Sequence, residues 1–93
     1  MKLELSKVEI LSLGHNEIIC KDDVRGMLYG QIRYEGKDYD AVFYGNDYDY
    51  SWDAGQLDGL YLESLDSIEI DGEEVDVIAT DEEVKNFLKE LGA

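Results

Sequence analysis

Five oxygen-bearing side chains, Asp47, Asp49, Ser51, Asp53 and Asp58, fall at positions 1, 3, 5, 7 and 12 of a possible twelve-residue calcium loop. Calcium is a hard cation held by oxygen, so acids and a hydroxyl at alternating positions are the right chemistry. Two defining positions depart from it. Position 6 is Trp52, where the sharp turn calls for glycine. Position 12 is an aspartate, shorter than the glutamate that clamps the ion with both oxygens. The candidate metal set Asp47, Asp49, Ser51 and Asp58 is therefore incomplete. A solvated acidic stretch with no metal and no cofactor is the expectation. His15 and Cys20 are the sole histidine and cysteine. A Cys–His nucleophile pair needs both side chains in hydrogen-bond reach and a third group to orient the base. His15 falls in a turn signal, Gly14-His15-Asn16, and Cys20 ends the apolar run 17–20, with no marked orienting partner. A surface histidine and a buried structural cysteine are expected. There is no glycine-rich phosphate loop, no CxxC and no HExxH. No catalytic residue is assigned, and the chain reads as non-enzymatic.

The second kind of chemistry is recognition by charge. Residues 38–61 hold seven of the ten aromatic residues and six aspartates, without a lysine or arginine. The net charge is 0 over residues 1–37, −16 over 38–84 and +1 over 85–93, which together make the −15 of the chain. Like charge packed this densely destabilises a compact state, so its concentration in one interval suggests a use. DNA, RNA and anionic lipid carry the same sign and are excluded as direct partners. A basic protein is the complementary partner, a nucleic-acid-binding enzyme being one such class. The partner-binding candidates are Asp38, Asp40, Asp47, Tyr48, Asp49, Tyr50, Trp52, Asp53 and Asp58. The aspartates would steer, while tyrosine and tryptophan are the usual anchors of interfaces. Carboxylates can stand in for phosphates. One β-strand is too sparse for that, because same-face residues recur every ~6.8 Å against one phosphate per ~3.4 Å of each DNA strand. Several acidic elements side by side are required, and 38–40, 47–53 and 73–76 could supply them.

The elements that must position these residues are short. Ninety-three residues fit a single domain, 1–93, able to bury about 60–65% of its unfolded surface. A hydrophobic fraction of 44% favours a globular fold despite the charge. One cysteine fits a reducing compartment, and the charged start MKLELSKVEI does not read as a signal peptide. A cytoplasmic location is expected. Residues 3–13 alternate as a strand whose phase slips at Ser6-Lys7, and 17–20 form a short strand. Residues 27–44 form a hairpin on a Gly36-Lys37 loop, pairing Tyr34 with Tyr39, Arg33 with Asp40, Ile32 with Ala41 and Gly30 with Phe43. Leu28, Ile32, Tyr34, Tyr39, Ala41 and Phe43 then share one face. Residues 45–61 read as an extended edge followed by loop with one helical turn, since Gly55 and Gly59 oppose a longer helix. Residues 67–79 form a second hairpin. A four-residue loop, 71–74, is preferred there because a two-residue loop sets Glu69 against Glu74. Thr80 and Glu83 form a capping box for a helix over 81–91, with Val84, Phe87, Leu88 and Leu91 as its apolar stripe. The fold class is α+β: a mainly antiparallel sheet of about five strands, with hairpins 27–44 and 67–79, packed by one C-terminal helix.

In composition the chain resembles the small acidic inhibitors that imitate DNA, the anti-restriction and anti-CRISPR proteins of phages and plasmids. The resemblance covers composition and not motifs, so no residue is carried over from it. It implies an inhibitor acting on a basic nucleic-acid-binding protein. Two alternatives stand beside it: a bacterial or phage accessory domain whose acidity serves only solubility, and a divalent-cation-binding module.

Overall fold

The computed structural model describes residues 2–19, 25–45, 48–53 and 56–92, with side chains for 2–14, 26–45 and 62–91. The fold is α+β. Its strands are β1 (Lys2–Glu4), β2 (Glu9–Ile19), β3 (Arg25–Tyr34), β4 (Lys37–Gly45), β5 (Tyr48–Asp53), β6 (Gln56–Leu62), β7 (Ser67–Ile70) and β8 (Glu73–Ile78), followed by helix α1 (Asp81–Gly92). Among the described residues, six strands make one sheet in the order β1-β8-β7-β4-β3-β2, and β5 and β6 make a separate two-stranded ribbon. All pairs are antiparallel except β1 with β8. About five strands were expected. The phase slip at Ser6-Lys7 is a 3-10 turn, Leu5–Lys7, which splits the first expected strand into β1 and β2.

That split bends the sheet. β1 and β2 lie at opposite edges, yet only five residues lead from Glu4 to Glu9. Five residues span at most ~18 Å, whereas the edges of a flat six-stranded sheet lie ~24 Å apart. The sheet must curl. The curl is recorded directly: the Glu4 amide donates to the Tyr34 hydroxyl at 3.0 Å, a contact from the β1 edge to a β3 side chain. Inside the curl lie Leu3, Leu28, Ile32, Ala41, Phe43, Ile68, Ile70 and Val75, all buried. The helix covers this core with Phe87 and Leu91, and the Phe87 ring meets Phe43 at 5.5 Å and 56°.

Both hairpins keep the expected faces and change register by two residues. The β3–β4 loop is Glu35-Gly36 instead of Gly36-Lys37, so Tyr34 pairs with Lys37, Arg33 with Asp38, Ile32 with Tyr39, Gly30 with Ala41 and Leu28 with Phe43. The β7–β8 loop is Asp71-Gly72 instead of 71–74, which pairs Ile68 with Val75 and Glu69 with Glu74. A two-residue type I′ turn needs both residues at positive φ, with glycine best at the second. Glu35 and Gly36 stand at 51° and 78°, Asp71 and Gly72 at 52° and 86°. The anticipated repulsion is met differently: Tyr44 on β4 donates its hydroxyl to Glu69 Oε1 at 2.6 Å. Two further expectations are corrected. Gly14-His15-Asn16 is not a turn. β2 runs through it, with register shifts at Ile10/Ser12 and Leu13/His15. Residues 56–62 are strand and not helical loop, and Gly59 sits beside a register shift, the place where an interior glycine is tolerated. Cys20 lies outside the described residues.

The capping box forms as expected. The Thr80 amide donates to Glu83 Oε1 at 3.1 Å, and the Glu83 amide donates to Thr80 Oγ1 at 3.2 Å. The Thr80 backbone bond, followed by the Thr80 side-chain bond, holds the Glu83 carboxyl below its usual range. A depressed folded pKa means that this stabilisation is full above the unfolded glutamate value, ~4.3, and is lost as pH falls through the depressed one. Thr80→Ala is expected to cost about 1 kcal/mol at neutral pH. Its gap from the parent in urea midpoint should narrow in acid. An equal gap at both pH values would show that the carboxylate does not act through the Thr80 side chain, since the Thr80 amide that bonds it remains in the variant.

Candidate functional site

Alternation along β7 and β8 separates two chemistries. Ile68, Ile70 and Val75 are buried under the curl, while Glu69, Glu74 and Asp76 take the other face. On β4, Ala41 and Phe43 are buried and Asp40 is exposed on the outside. Since β4, β7 and β8 are consecutive in the sheet, the outer carboxylates of Asp40, Glu69, Glu74 and Asp76 come from three adjacent strands. The ladder aligns Val42, Glu69 and Glu74 in one row across them. Neighbouring strands lie ~4.8 Å apart, closer than same-face residues along one strand. Asp71 joins the array at the turn, its amide bonded to the Asp40 carbonyl at 3.0 Å. Lys2, opposite Asp76 in the parallel ladder, borders the array on one side.

Arg33 borders it on the other side and removes one candidate from free display. Its Nε donates to Asp38 Oδ1 at 2.8 Å and its Nη2 to Asp38 Oδ2 at 3.4 Å. The hydrogen bond from Arg33 lowers the Asp38 pKa, and Asp38 raises that of Arg33. Asp38 is thus half of an exposed ion pair. Asp40 accepts a longer bond, 3.3 Å, from Gln31 Nε2. The two-residue change in register is the cause of this division: it brings Arg33 opposite Asp38 and Gln31 opposite Asp40.

The other candidates lie on or beside the ribbon. Asp47 lies outside the described residues. So do the side chains of Tyr48, Asp49, Tyr50, Trp52, Asp53 and Asp58, whose backbone positions are described. The register sets Tyr48, Tyr50 and Trp52 opposite Leu62, Leu60 and Leu57, and sets Asp49 and Asp53 opposite Tyr61 and Gln56. Asp58 falls at the register shift. Aromatic positions are therefore paired with leucines and acidic positions with Tyr61 or Gln56. At the base of the ribbon Leu62 belongs to the buried core. The candidate calcium ligands Asp49 and Ser51 are spread along an extended strand, with Asp58 on the strand across from them. Among the described residues no group of three or more histidine, cysteine or acidic side chains is arranged to hold a metal. His15 is placed on β2 opposite Tyr29.

Glu74 and Asp76 come from the acidic element 73–76 that the sequence offered beside the nine single candidates, while Glu69 and Asp71 were not offered for the face, and together they complete the sheet-borne array. Their signal was present in the alternation of residues 68–70 and 75–77, where Glu69 and Asp76 are each flanked by aliphatic residues, and Glu74 follows by the same parity as Asp76. No helix among the described residues is long and apolar enough to cross a membrane. No protein-family model, no curated protein and no solved structure matches the chain, so its likeness to known proteins carries no argument and the site stands on its geometry.

Proposed function

We propose that this chain is a non-enzymatic binding protein that presents an acidic face to a basic protein surface. Its partner class is a nucleic-acid-binding protein, whose phosphate-binding surface such a face would occupy. The observation that carries the reading is the array of Asp40, Glu69, Glu74 and Asp76 on three consecutive strands. Side-by-side strands supply the close lateral spacing that a single strand lacks. The curl makes the face convex, a shape suited to entering a groove. Complementary charge of this kind acts mainly on association rate and is screened by salt.

The test is association with a panel of purified basic nucleic-acid-binding proteins at rising salt, with duplex DNA as competitor. One or more should bind at physiological ionic strength, weaken steeply with salt and be displaced by DNA. The variant Asp40→Asn/Glu74→Gln/Asp76→Asn should lose about tenfold or more in affinity, mainly through association rate. A second variant, Asp47→Asn/Asp49→Asn/Asp53→Asn, reads the share of the ribbon. Unchanged binding in both variants would overturn the proposal. So would a silent result accompanied by a small gain in stability from relieved repulsion, which assigns the acidity to solubility alone.

A further inference from the structure

Strand β4 overshoots its neighbour. The β4–β7 ladder stops at the Ala41–Ile70 pair, and the chain then turns at Asp71-Gly72. Tyr39 lies beyond the last rung, at an inward register position with no β7 residue opposite it. It is half-buried, while Ala41 and Phe43 on the same face are buried. Beside it is a recess of about 320 Å³ lined by Tyr39, Ile70, Val75 and the carboxyl-bearing residues Asp71, Glu73 and Glu74. Glu73 breaks the alternation of its strand. It pairs with the buried Ile70 and shares the inward parity of Val75 and Val77, yet it is an exposed glutamate.

An apolar floor rimmed by carboxylates disfavours two kinds of occupant. An anion is repelled, and a wholly apolar group would strip water from the acids without replacing it. A cation on an aliphatic stem satisfies both parts, because such side chains lay the stem on apolar surface and keep the head polar. We infer that this recess seats an arginine side chain of the basic partner. The stem lies over Ile70 and Val75, Glu73 and its neighbours hold the head, and the Tyr39 ring offers its face to the charge. Guanidinium is planar and more weakly hydrated than ammonium, which favours arginine over lysine here. The inference rests on the proposed function and supplies its anchor, since interfaces concentrate their energy in a few pocketed residues.

The probe is an acetylated, amidated tetra-arginine peptide, titrated into isotopically labelled protein. Saturable shifts of the Tyr39 ring and the Ile70 and Val75 methyl groups are expected. Tyr39→Leu keeps the apolar bulk without the ring and should weaken the peptide about threefold, while Tyr39→Phe should bind as the parent does. Glu73→Gln, a near-isosteric change at an exposed position, should weaken it similarly and carries the test if Tyr39→Leu does not fold. Asp40→Asn/Asp76→Asn, outside the recess, should lower affinity without abolishing the ring shifts. If the peptide moves only the outer-face resonances and leaves Tyr39, Ile70 and Val75 unmoved, the recess assignment falls while the acidic face stands. If no resonance moves at physiological salt, both fall.

Discussion

Replacing Phe43 by alanine is expected to lower the unfolding free energy by about 3–5 kcal/mol. The ring is fully buried in the middle of β4 and meets the helix that covers the sheet, with its centroid 5.5 Å from that of Phe87 on α1. Truncation removes apolar area and also leaves a cavity, because the curled strands on either side are tied by their ladders and collapse only in part. A domain of this size holds about 5–15 kcal/mol in total, and the concentrated negative charge works against it. The variant should therefore sit close to the limit of folding at room temperature. Urea unfolding of the two proteins is the measurement. The midpoint should fall steeply with the slope unchanged, whereas a reduced slope would mean that the helix has left the sheet before global unfolding. A double-mutant cycle with Phe87→Ala should return a coupling of about 0.5–1.5 kcal/mol, the usual range for an aromatic pair beyond its area. A loss below about 1 kcal/mol for Phe43→Ala would show that the ring does not bridge sheet and helix.

The face on which Phe43 lies was legible in the sequence, and its partner was not. Side-chain parity in a strand follows from a period of two, so Leu28, Ile32, Tyr34, Ala41 and Phe43 share a side for any loop with an even number of residues, the expected Gly36-Lys37 and the observed Glu35-Gly36 alike. Register is set by the turn, and there the demand for two positive φ angles outweighed charge. Glu35-Gly36 and Asp71-Gly72 both place glycine second, and the Glu69–Glu74 pairing that argued against the shorter loop is eased by the Tyr44 hydroxyl bonded to Glu69. The helix was legible to its cap because every signal for it is local. The curl was not, since the parallel β1–β8 pairing joins Leu3 to Val77 and no local pattern encodes it. The ribbon was half-legible: β5 alternates, but Gly55 and Gly59 mask β6, and a glycine beside a bulge looks the same in sequence as a glycine in a loop. The site followed the same rule. Asp38 and Asp40 were both found as acids of the base-free interval, the register then drew Asp38 into an ion pair, and Glu69 was noticed for its repulsion and not for its place in the array.

Gly30→Ala should destabilise by about 1–3 kcal/mol, the range for forcing extra atoms into a packed site. In an ordinary strand this substitution helps, since glycine loses more backbone entropy on folding than alanine does. Here a Cβ would lie 2.4 Å from the Ser12 carbonyl oxygen and 2.9 Å from Leu13 Cδ2. The leucine tip can rotate away. The carbonyl cannot, because Ser12 lies between the two register shifts of β2, with Leu13 paired to Gly30 itself. Bulges bend the strand that carries them and increase its twist, so the close approach at Gly30 is part of how β2 follows the curl. To admit a methyl group, β2 must straighten locally. Gly14→Ala is the control: Gly14 lies in the same strand, next to the second shift, and a Cβ there meets nothing within 4 Å. It should change stability by no more than about 0.5 kcal/mol in either direction. Urea midpoints give the energies, and amide exchange at Ser12 and Leu13 shows whether β2 has loosened. If Gly30→Ala proves as neutral as Gly14→Ala, the bulge relaxes freely, and the curl does not depend on the close approach at Gly30.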